Sequence, residues 1–381
     1  MSFPSLWSKL VMSTSVSRLG ILTLMERSRS HPLQVVIPPP TSSDLYPKSI
    51  RYKHIDLVVE LLPRISQLVI ATCGRYDTPY VYRAFEGSTA DRLRQLNFIV
   101  LPRMDKPFLL YTPQLRSLYM SGVESWPAHM AENLTHIHLD FYLNPETLER
   151  DLKNSPRLRE IRLNSVYRFP ERSDTRSRVS LIPGVRLVIT GSQNTVASLF
   201  TLGPTNHLSI TTNAIATSFS ITSFLKLALP KDISCFRNLN DITNVHLEGI
   251  NSAENTRTHI PRSVTIILRC STAERETLHV NLEYFLSGLR PPNTTETEII
   301  AERPPAMRAL DYLRPLDLSK VVELRMEGFI GDWGLESMEL FHFLQHMPAL
   351  RRITTGDDNR ETFWSALSTM KRSAAVVIEG G

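Results

Sequence analysis

Cysteine is scarce in this sequence, which holds three, Cys73, Cys235 and Cys270. The odd count and wide spacing exclude a disulfide framework and a zinc ribbon, so the thiols are read as reduced and buried. Long apolar runs are missing too. Charges, prolines or hydroxyl residues interrupt every stretch short of the roughly 18 residues a membrane helix needs, so a soluble cytoplasmic or nuclear protein without membrane contact is expected. There is no Gly-rich phosphate loop, neither a Walker A pattern nor a dinucleotide fingerprint. No Gly-x-Ser-x-Gly elbow occurs, and no cysteine has a context that activates a thiolate. These absences remove the usual signatures of nucleotide chemistry and nucleophilic hydrolysis. A protein that is not an enzyme and needs no cofactor is expected.

The 381 residues, 42% of them hydrophobic, suffice for one elongated domain or two compact ones. The net charge of +5 is concentrated: residues 151–190 hold nine Lys or Arg against four Asp or Glu, a local excess of five. Such a patch suits an acidic surface or a phosphate backbone. No interleaved aromatics or nucleic-acid motif accompany it, so it reads as a solvated face with the arginine-bearing loop "YRFPERSDTRSR", and nucleic acid is not the expected partner. The first 30 residues are serine-rich and acid-poor, as transit peptides are. Leu19, Leu22 and Met25/Glu26 nevertheless mark one face of a short helix, and "HPLQVVI" reads as the strand it covers. The sequons at Asn133 and Asn293 are discounted, given cysteines of the reduced kind. "GFIGDWG", 328–334, is expected to be a turn with Asp332 as helix cap.

The organising signal is a repeat. An apolar residue, two variable ones, an apolar residue, one variable and a third apolar recur along the chain. Copies stand at Ile65/Leu68/Ile70, Leu93/Leu96/Phe98, Leu115/Leu118/Met120, Leu134/Ile137/Leu139, Leu158/Ile161/Leu163, Val321/Leu324/Met326 and, less strictly, Leu350/Ile353/Thr355. Weaker copies fit at Ile182/Val185/Leu187, Phe224/Leu227/Leu229 and Ile242/Val245/Leu247. From 65 to 182 the steps are 28, 22, 19, 24 and 24 residues, in or near the leucine-rich-repeat range. Pro63, Pro113, Pro156 and Pro348 each lie two residues before a first template position, where proline ends a helix and holds the chain extended.

Between template copies the apolar period changes from 2 to 3.6. In "NPETLERDLKNSP", Asn144 suits an N-cap, Pro145 the first helical position, and Leu148 and Leu152 share a face. The same logic predicts helices near 55–62, 335–346 and 360–371, the last with Phe363, Leu367 and Met370 in one stripe. A strand-plus-helix unit cannot cover its own apolar face, so neighbours must stack. The expected α/β fold is a leucine-rich-repeat solenoid over residues 31–381, curved, with parallel strands on the concave face and helices on the convex face. Residues 1–30 form a helical lead-in. Residues 270–320, with two Pro-Pro pairs and no template copy, are expected to be an irregular repeat or a protruding loop.

The run "HIHLD" places His136, His138 and Asp140 at alternate positions, as in some metal-dependent hydrolases. With Ile137 and Leu139 turned inward, all three project to the opposite face. Side chains two apart on a strand project nearly parallel rather than converging, and a catalytic zinc needs further ligands and an open position. The equivalent positions elsewhere, Gln95/Asn97, Ser117/Tyr119, Glu160/Arg162 and Glu323/Arg325, are simply varied polar residues. No metal site is therefore assigned. Tyr119, His136, His138, Glu160 and Arg162 are the expected partner-binding residues.

The N-terminal stretches "PSLWSKL" and "LMERSRSHPLQVVI" resemble the segment that follows the F-box in fungal F-box proteins with leucine-rich repeats. There Pro-x-Leu-Trp-Ser leads to a helix ending in Glu-Arg-Ser-x-Ser, then Pro-Leu and a strand. The matching positions here are Pro4, Leu6, Trp7, Ser8, Glu26, Arg27, Ser28, Ser30, Pro32 and Leu33. The repeats "NLTHIHLD", "LKNSPRLREIRL" and "LQHMPALRRI" are similar to that family's as well. The N-terminal stretch carries most of the specificity, because solenoids of many kinds share the template. The resemblance implies a substrate receptor of a Skp–cullin–F-box ubiquitin ligase, whose F-box binds the adaptor while the repeats hold a target protein. The three-helix F-box, usually opened by Leu-Pro-x-Glu, does not precede these residues, and residue 1 falls about where it would end. No adaptor-binding residue carries over. The chain is then a truncated copy, or a receptor-like protein or interaction scaffold with no ubiquitin-ligase role.

Overall fold

A computed structural model describes residues 4–12, 17–39, 48–73, 77–104, 108–123, 128–140, 145–164, 178–190, 200–216, 234, 236–251, 262–286, 316–327, 337–370 and 376–380. It is a mixed α/β structure whose strands are mostly parallel and do not close into a barrel. The chain forms two compact units, Met1–Ile182 and Pro183–Gly381.

The first unit has seven parallel strands in sequence order: β1 (Lys9–Val11), β2 (Leu33–Ile37), β3 (Ile65–Cys73), β4 (Gln95–Met104), β5 (Ser117–Val123), β6 (His136–Asp140) and β7 (Glu160–Asn164). Helices α1 (Arg18–Ser28), α2 (Lys48–Leu61), α3 (Asp77–Phe85), α4 (Ala128–Ala131) and α5 (Pro145–Lys153) lie in the crossovers. The short β8 (Val179–Ser180) follows. In the second unit come β9 (Arg186–Thr190), β10 (Phe200–Thr201), β11 (His207–Ala216), β12 (Asn244–Asn251), β13 (Arg262–Ser271) and β14 (Glu276–Leu286). They are followed by β15 (Glu323–Glu327), α6 (Ser337–Leu344), β16 (Arg352–Thr355), α7 (Asp357–Thr369) and β17 (Val377–Gly380). The sheet there runs β9-β11-β14-β13-β12-β15-β16-β17, parallel throughout except that β13 is antiparallel to both neighbours.

The apolar template builds this arrangement. Leu68, Leu96, Leu118, Ile137 and Ile161 stand side by side on β3–β7, and Ile70, Phe98, Met120, Leu139 and Leu163 form the next row. All are buried. Each contributes on the order of 1.5–3 kcal/mol by area.

The repeat is also one of backbone hydrogen bonds. The carbonyls of Arg94, Arg116 and Thr135 each accept two amide protons from the next copy, those of Arg116/Ser117, Thr135/His136 and Arg159/Glu160. Thr243 and Val322 do the same for Val322/Glu323 and Arg351/Arg352 in the second unit.

The first template residue closes a turn in each of the six strict copies and in the looser one at Leu350. Leu93, Leu115, Leu134, Leu158, Val321 and Leu350 donate their N–H to the carbonyl three residues back, as Ile65 does to Leu62. Pro63, Pro113, Pro156 and Pro348 therefore occupy the second position of a β-turn, where the fixed proline φ fits. The recurrent proline is a turn residue as much as a helix stop. Gly122, at φ +76°, lets β5 pass the Val100 carbonyl, which a Cβ there would meet.

Several expectations change. The helix predicted at 55–62 begins seven residues earlier, because its first turns are anchored by the buried, charged Arg51, which apolar periodicity does not register. Helix α1 exists, but Leu19 and Leu22 are 74% and 45% exposed and the buried residues are Ile21 and Ser28. Within 270–320, residues 276–286 are a regular strand paired on both sides rather than an irregular segment. Their alternating "TLHVNLEYF" follows period 2 without the template. Helices α5 and α6 lie close to their predicted spans, with Leu148 and Leu152 buried; α7 begins and ends two or three residues before the predicted 360–371, with Phe363 and Leu367 buried but Met370 at its C-cap and only half-buried. Cys270 is buried, and burial pushes its thiol pKa up. The copy at 224–229, Asn144, Asp332, Asn293, most of the arginine-bearing loop and Cys235 lie outside the described residues.

Candidate functional site

Strand alternation sends every residue between template positions to the face opposite the core. On β3–β7 the pairing arranges them in three rows. Gln67, Gln95, Ser117, His136 and Glu160 form the first, and Val69, Asn97, Tyr119, His138 and Arg162 the second. Ala71, Ile99, Ser121, Asp140 and Asn164 form the third. Among these fifteen positions the formal charges are Asp140, Glu160 and Arg162, a net charge of −1 with neutral histidines.

The five expected residues do not act as one group. Tyr119 and His138 meet, their rings edge to face with centroids 4.6 Å apart. Glu160 and Arg162 pair along one strand, Nε to Oε1 at 2.5 Å. His136 is exposed, and its Nδ1 lies 2.9 Å from the Thr135 hydroxyl.

Two neighbours complete the centre. The Tyr119 hydroxyl donates to Asp140 Oδ2, and the Asn164 amide lies 2.5 Å from His138 Nε2. His138 Nε2 also faces Asp140 Oδ1 at 3.5 Å, beyond ordinary hydrogen-bond length, and that oxygen is buried without a hydrogen-bond partner. Asn164 was not among the expected residues. The signal was present, because "HIHLD" and "EIRLN" align 24 residues apart and pair Asp140 with Asn164 in register.

His136, His138 and Asp140 do not converge, and among the described residues no group of three or more His, Cys, Asp or Glu is placed to hold a metal ion.

Burial raises the pKa of the Tyr119 phenol, and the hydrogen bond to Asp140 and that residue's charge raise it further. Burial also pushes the Asp140 carboxyl up, but His138, Tyr119 and Asn164 outweigh it and hold it below its ordinary value. Two pH effects follow. A group whose folded pKa is raised stabilises fully below its unfolded pKa, so the Tyr119 contribution persists past pH about 10 and is lost as pH climbs through the higher folded value. Asp140 has the opposite sign: its contribution is present above pH about 4 and is lost as pH falls through the depressed value. Burial raises Tyr80 and Tyr82 as well, so alkaline titration of phenolate absorbance is expected to show at least three fewer tyrosines ionising near pH about 10 in the folded chain than in the unfolded one, Tyr119 among them. A Tyr119→Phe variant with an unchanged folded-state titration curve at that pH would support this. Loss of one tyrosine's absorbance there would contradict it.

The second unit carries a separate polar network on β11–β15, which sequence reasoning reached only at Glu323/Arg325. His207 Nε2 and His279 Nδ1 lie 2.9 Å and 3.6 Å from Glu276 Oε1. Arg269 Nη1 is 3.2 Å from His246 Nδ1, whose Nε2 is 3.1 Å from Glu327 Oε2. Arg325 also binds Glu327, which holds that carboxyl below its ordinary value. Burial lowers the His279 pKa against the pull of Glu276. These contacts pair the network across strands, although His207 Nδ1 is buried without a hydrogen-bond partner, and of its histidines only His246 falls within a template copy, the weaker one at Ile242/Val245/Leu247.

No helix among the described residues is long and apolar enough to cross a membrane. Comparison with known proteins found no matching family model, no matching curated protein and no matching solved structure.

Proposed function

We propose that this chain is a non-enzymatic, protein-binding leucine-rich-repeat module: a curved solenoid whose concave strand face, centred on Tyr119, His138, Glu160 and Arg162, holds a target protein. The observation that carries the reading is the three-row grid on β3–β7, varied and, on β5–β7, wholly polar side chains displayed on a regular apolar frame. The repeated turn and the doubly accepting carbonyl support the same unit from the backbone. A fold of this kind implies no particular function by itself, so the assignment rests on the face and on the N-terminal resemblance. That resemblance makes the module receptor-like, of the type used by Skp–cullin–F-box ubiquitin ligases.

The test is affinity purification with the full chain, comparing wild type with a Tyr119→Ala/Arg162→Ala double variant and with an Arg83→Ala variant on α3. Both substituted positions on the strand face lie off the core, so folding should survive. Partners retained by wild type and Arg83→Ala but lost from the double variant are the expected result. Partners bound equally by all three would exclude this face. The ligase adaptor, probed directly in the same eluates, separates a ligase receptor from a plain scaffold.

A further inference from the structure

Resting on that reading of the strand face, we propose that Asp140 is the anchor for a basic side chain presented by the partner protein, with the Tyr119 and His138 rings flanking the incoming cation. One oxygen of this carboxylate is committed and the other is not. Oδ2 accepts the Tyr119 hydroxyl, while Oδ1 is buried with no hydrogen bond. A buried acceptor left without a donor is costly, and a charged one more so. A partner that supplies the donor therefore gains the interaction and removes a penalty already present in the free protein.

The surroundings select a cation over a neutral donor. The grid of fifteen outward positions carries two carboxylates against one guanidinium, and that guanidinium is already tied to Glu160. Asp140 is thus the carboxylate of the grid that has no guanidinium beside it, only the His138 ring. Aromatic rings attract cations at their faces, and Tyr119 packs against His138 beside the carboxylate. The Asp140 side chain is 14% exposed and that of His138 is 30% exposed. His138 Nε2 faces the free oxygen at 3.5 Å, too long for a full hydrogen bond, so it is the side chain an entering cation displaces from Oδ1.

The probes are two capped tripeptides, Gly-Arg-Gly and the same peptide with citrulline, which keeps the shape of arginine and lacks its charge. Binding is followed through the ring resonances of Tyr119 and His138 in the full-length protein. The arginine peptide is expected to shift both saturably, and the citrulline peptide to need roughly tenfold more or to fail. The isosteric Asp140→Asn variant should weaken arginine binding by a similar factor. Equal titrations for arginine and citrulline in the wild-type protein would overturn the proposal, and that comparison needs no variant to fold. Arginine affinity unchanged in a folded Asp140→Asn protein would overturn it too. If these fail while Tyr119→Ala/Arg162→Ala still abolishes partner capture, the face binds by other chemistry. If capture is also unaffected, the reading of the face itself falls.

Discussion

Truncating Arg51 to alanine is expected to lower the stability of the first unit by about 3–5 kcal/mol, the cost of leaving a buried charge without its partner. Arg51 is 2% exposed and its guanidinium is fully used. Nε and Nη2 reach the two oxygens of Asp77 at 2.6 and 2.8 Å, Nη1 reaches the Pro38 carbonyl at 2.7 Å, and Nη2 also reaches the Ala71 carbonyl at 2.6 Å. One side chain therefore ties α2 to α3 and to the ends of β2 and β3. Arg51→Lys should rescue little, because an ammonium cannot reproduce the planar fork. Removing both charges, as Arg51→Met/Asp77→Leu, should cost less than Arg51→Ala, since no isolated carboxylate remains. Urea denaturation with helical circular dichroism as readout checks the series. An Arg51→Ala loss below about 1 kcal/mol would show that the pair is a replaceable surface-type interaction.

Phe98→Ala should have a comparable effect by a different route, about 3–5 kcal/mol from lost transfer energy and the cavity left behind. Phe98 is fully buried and stacks on Phe108, with centroids 4.1 Å apart. Tyr82 packs against both rings, and Phe85 packs against Phe108. The cluster joins β4 to α3, so the cavity cannot be filled by moving one element alone. Native-state hydrogen exchange of the β3–β5 amides reads the loss locally. Phe98→Leu, which keeps most of the volume, should retain most of that protection. Protection unchanged in Phe98→Ala would mean that the ring cluster does not hold this part of the sheet.

What could be read from the sequence divides along physical lines. Wherever a position is decided by apolar burial at fixed spacing, reading was reliable: Leu118, Ile137 and Ile161 align on adjacent parallel strands as the template requires. Helices α5, α6 and α7 follow from their stripes for the same reason. Positions decided by polar partners were not readable, because a partner 26 residues away leaves no local pattern. Arg51 and Asp77 are the clearest case, and Tyr119 with Asp140, 21 residues apart, is the same case at the site. Helix α1 was misread by one step of the helical wheel: Leu19 and Leu22 have the right spacing, but Ile21 faces the core. The hairpin of β13 and β14 escaped because its alternation lacks the two-residue gap of the template, and the connecting "STAERE" contains no Gly, Pro, Asn or Asp to mark a turn.

That hairpin bears on how the second unit acquires its structure. Parallel pairs joined by crossovers must close long loops before any contact rewards them, which makes them slow to form. Strands β12, β13 and β14, by contrast, pair as consecutive neighbours, with Thr272 and Arg275 bonded across the tight connection. Hairpins of this kind form within about 1–10 μs. The segment from 244 to 286 can thus nucleate early, and β11 and β15 then add to its two flanks as parallel strands. The described strands of the first unit contain no such local seed, so its assembly should be the slower of the two and the more exposed to aggregation on the way.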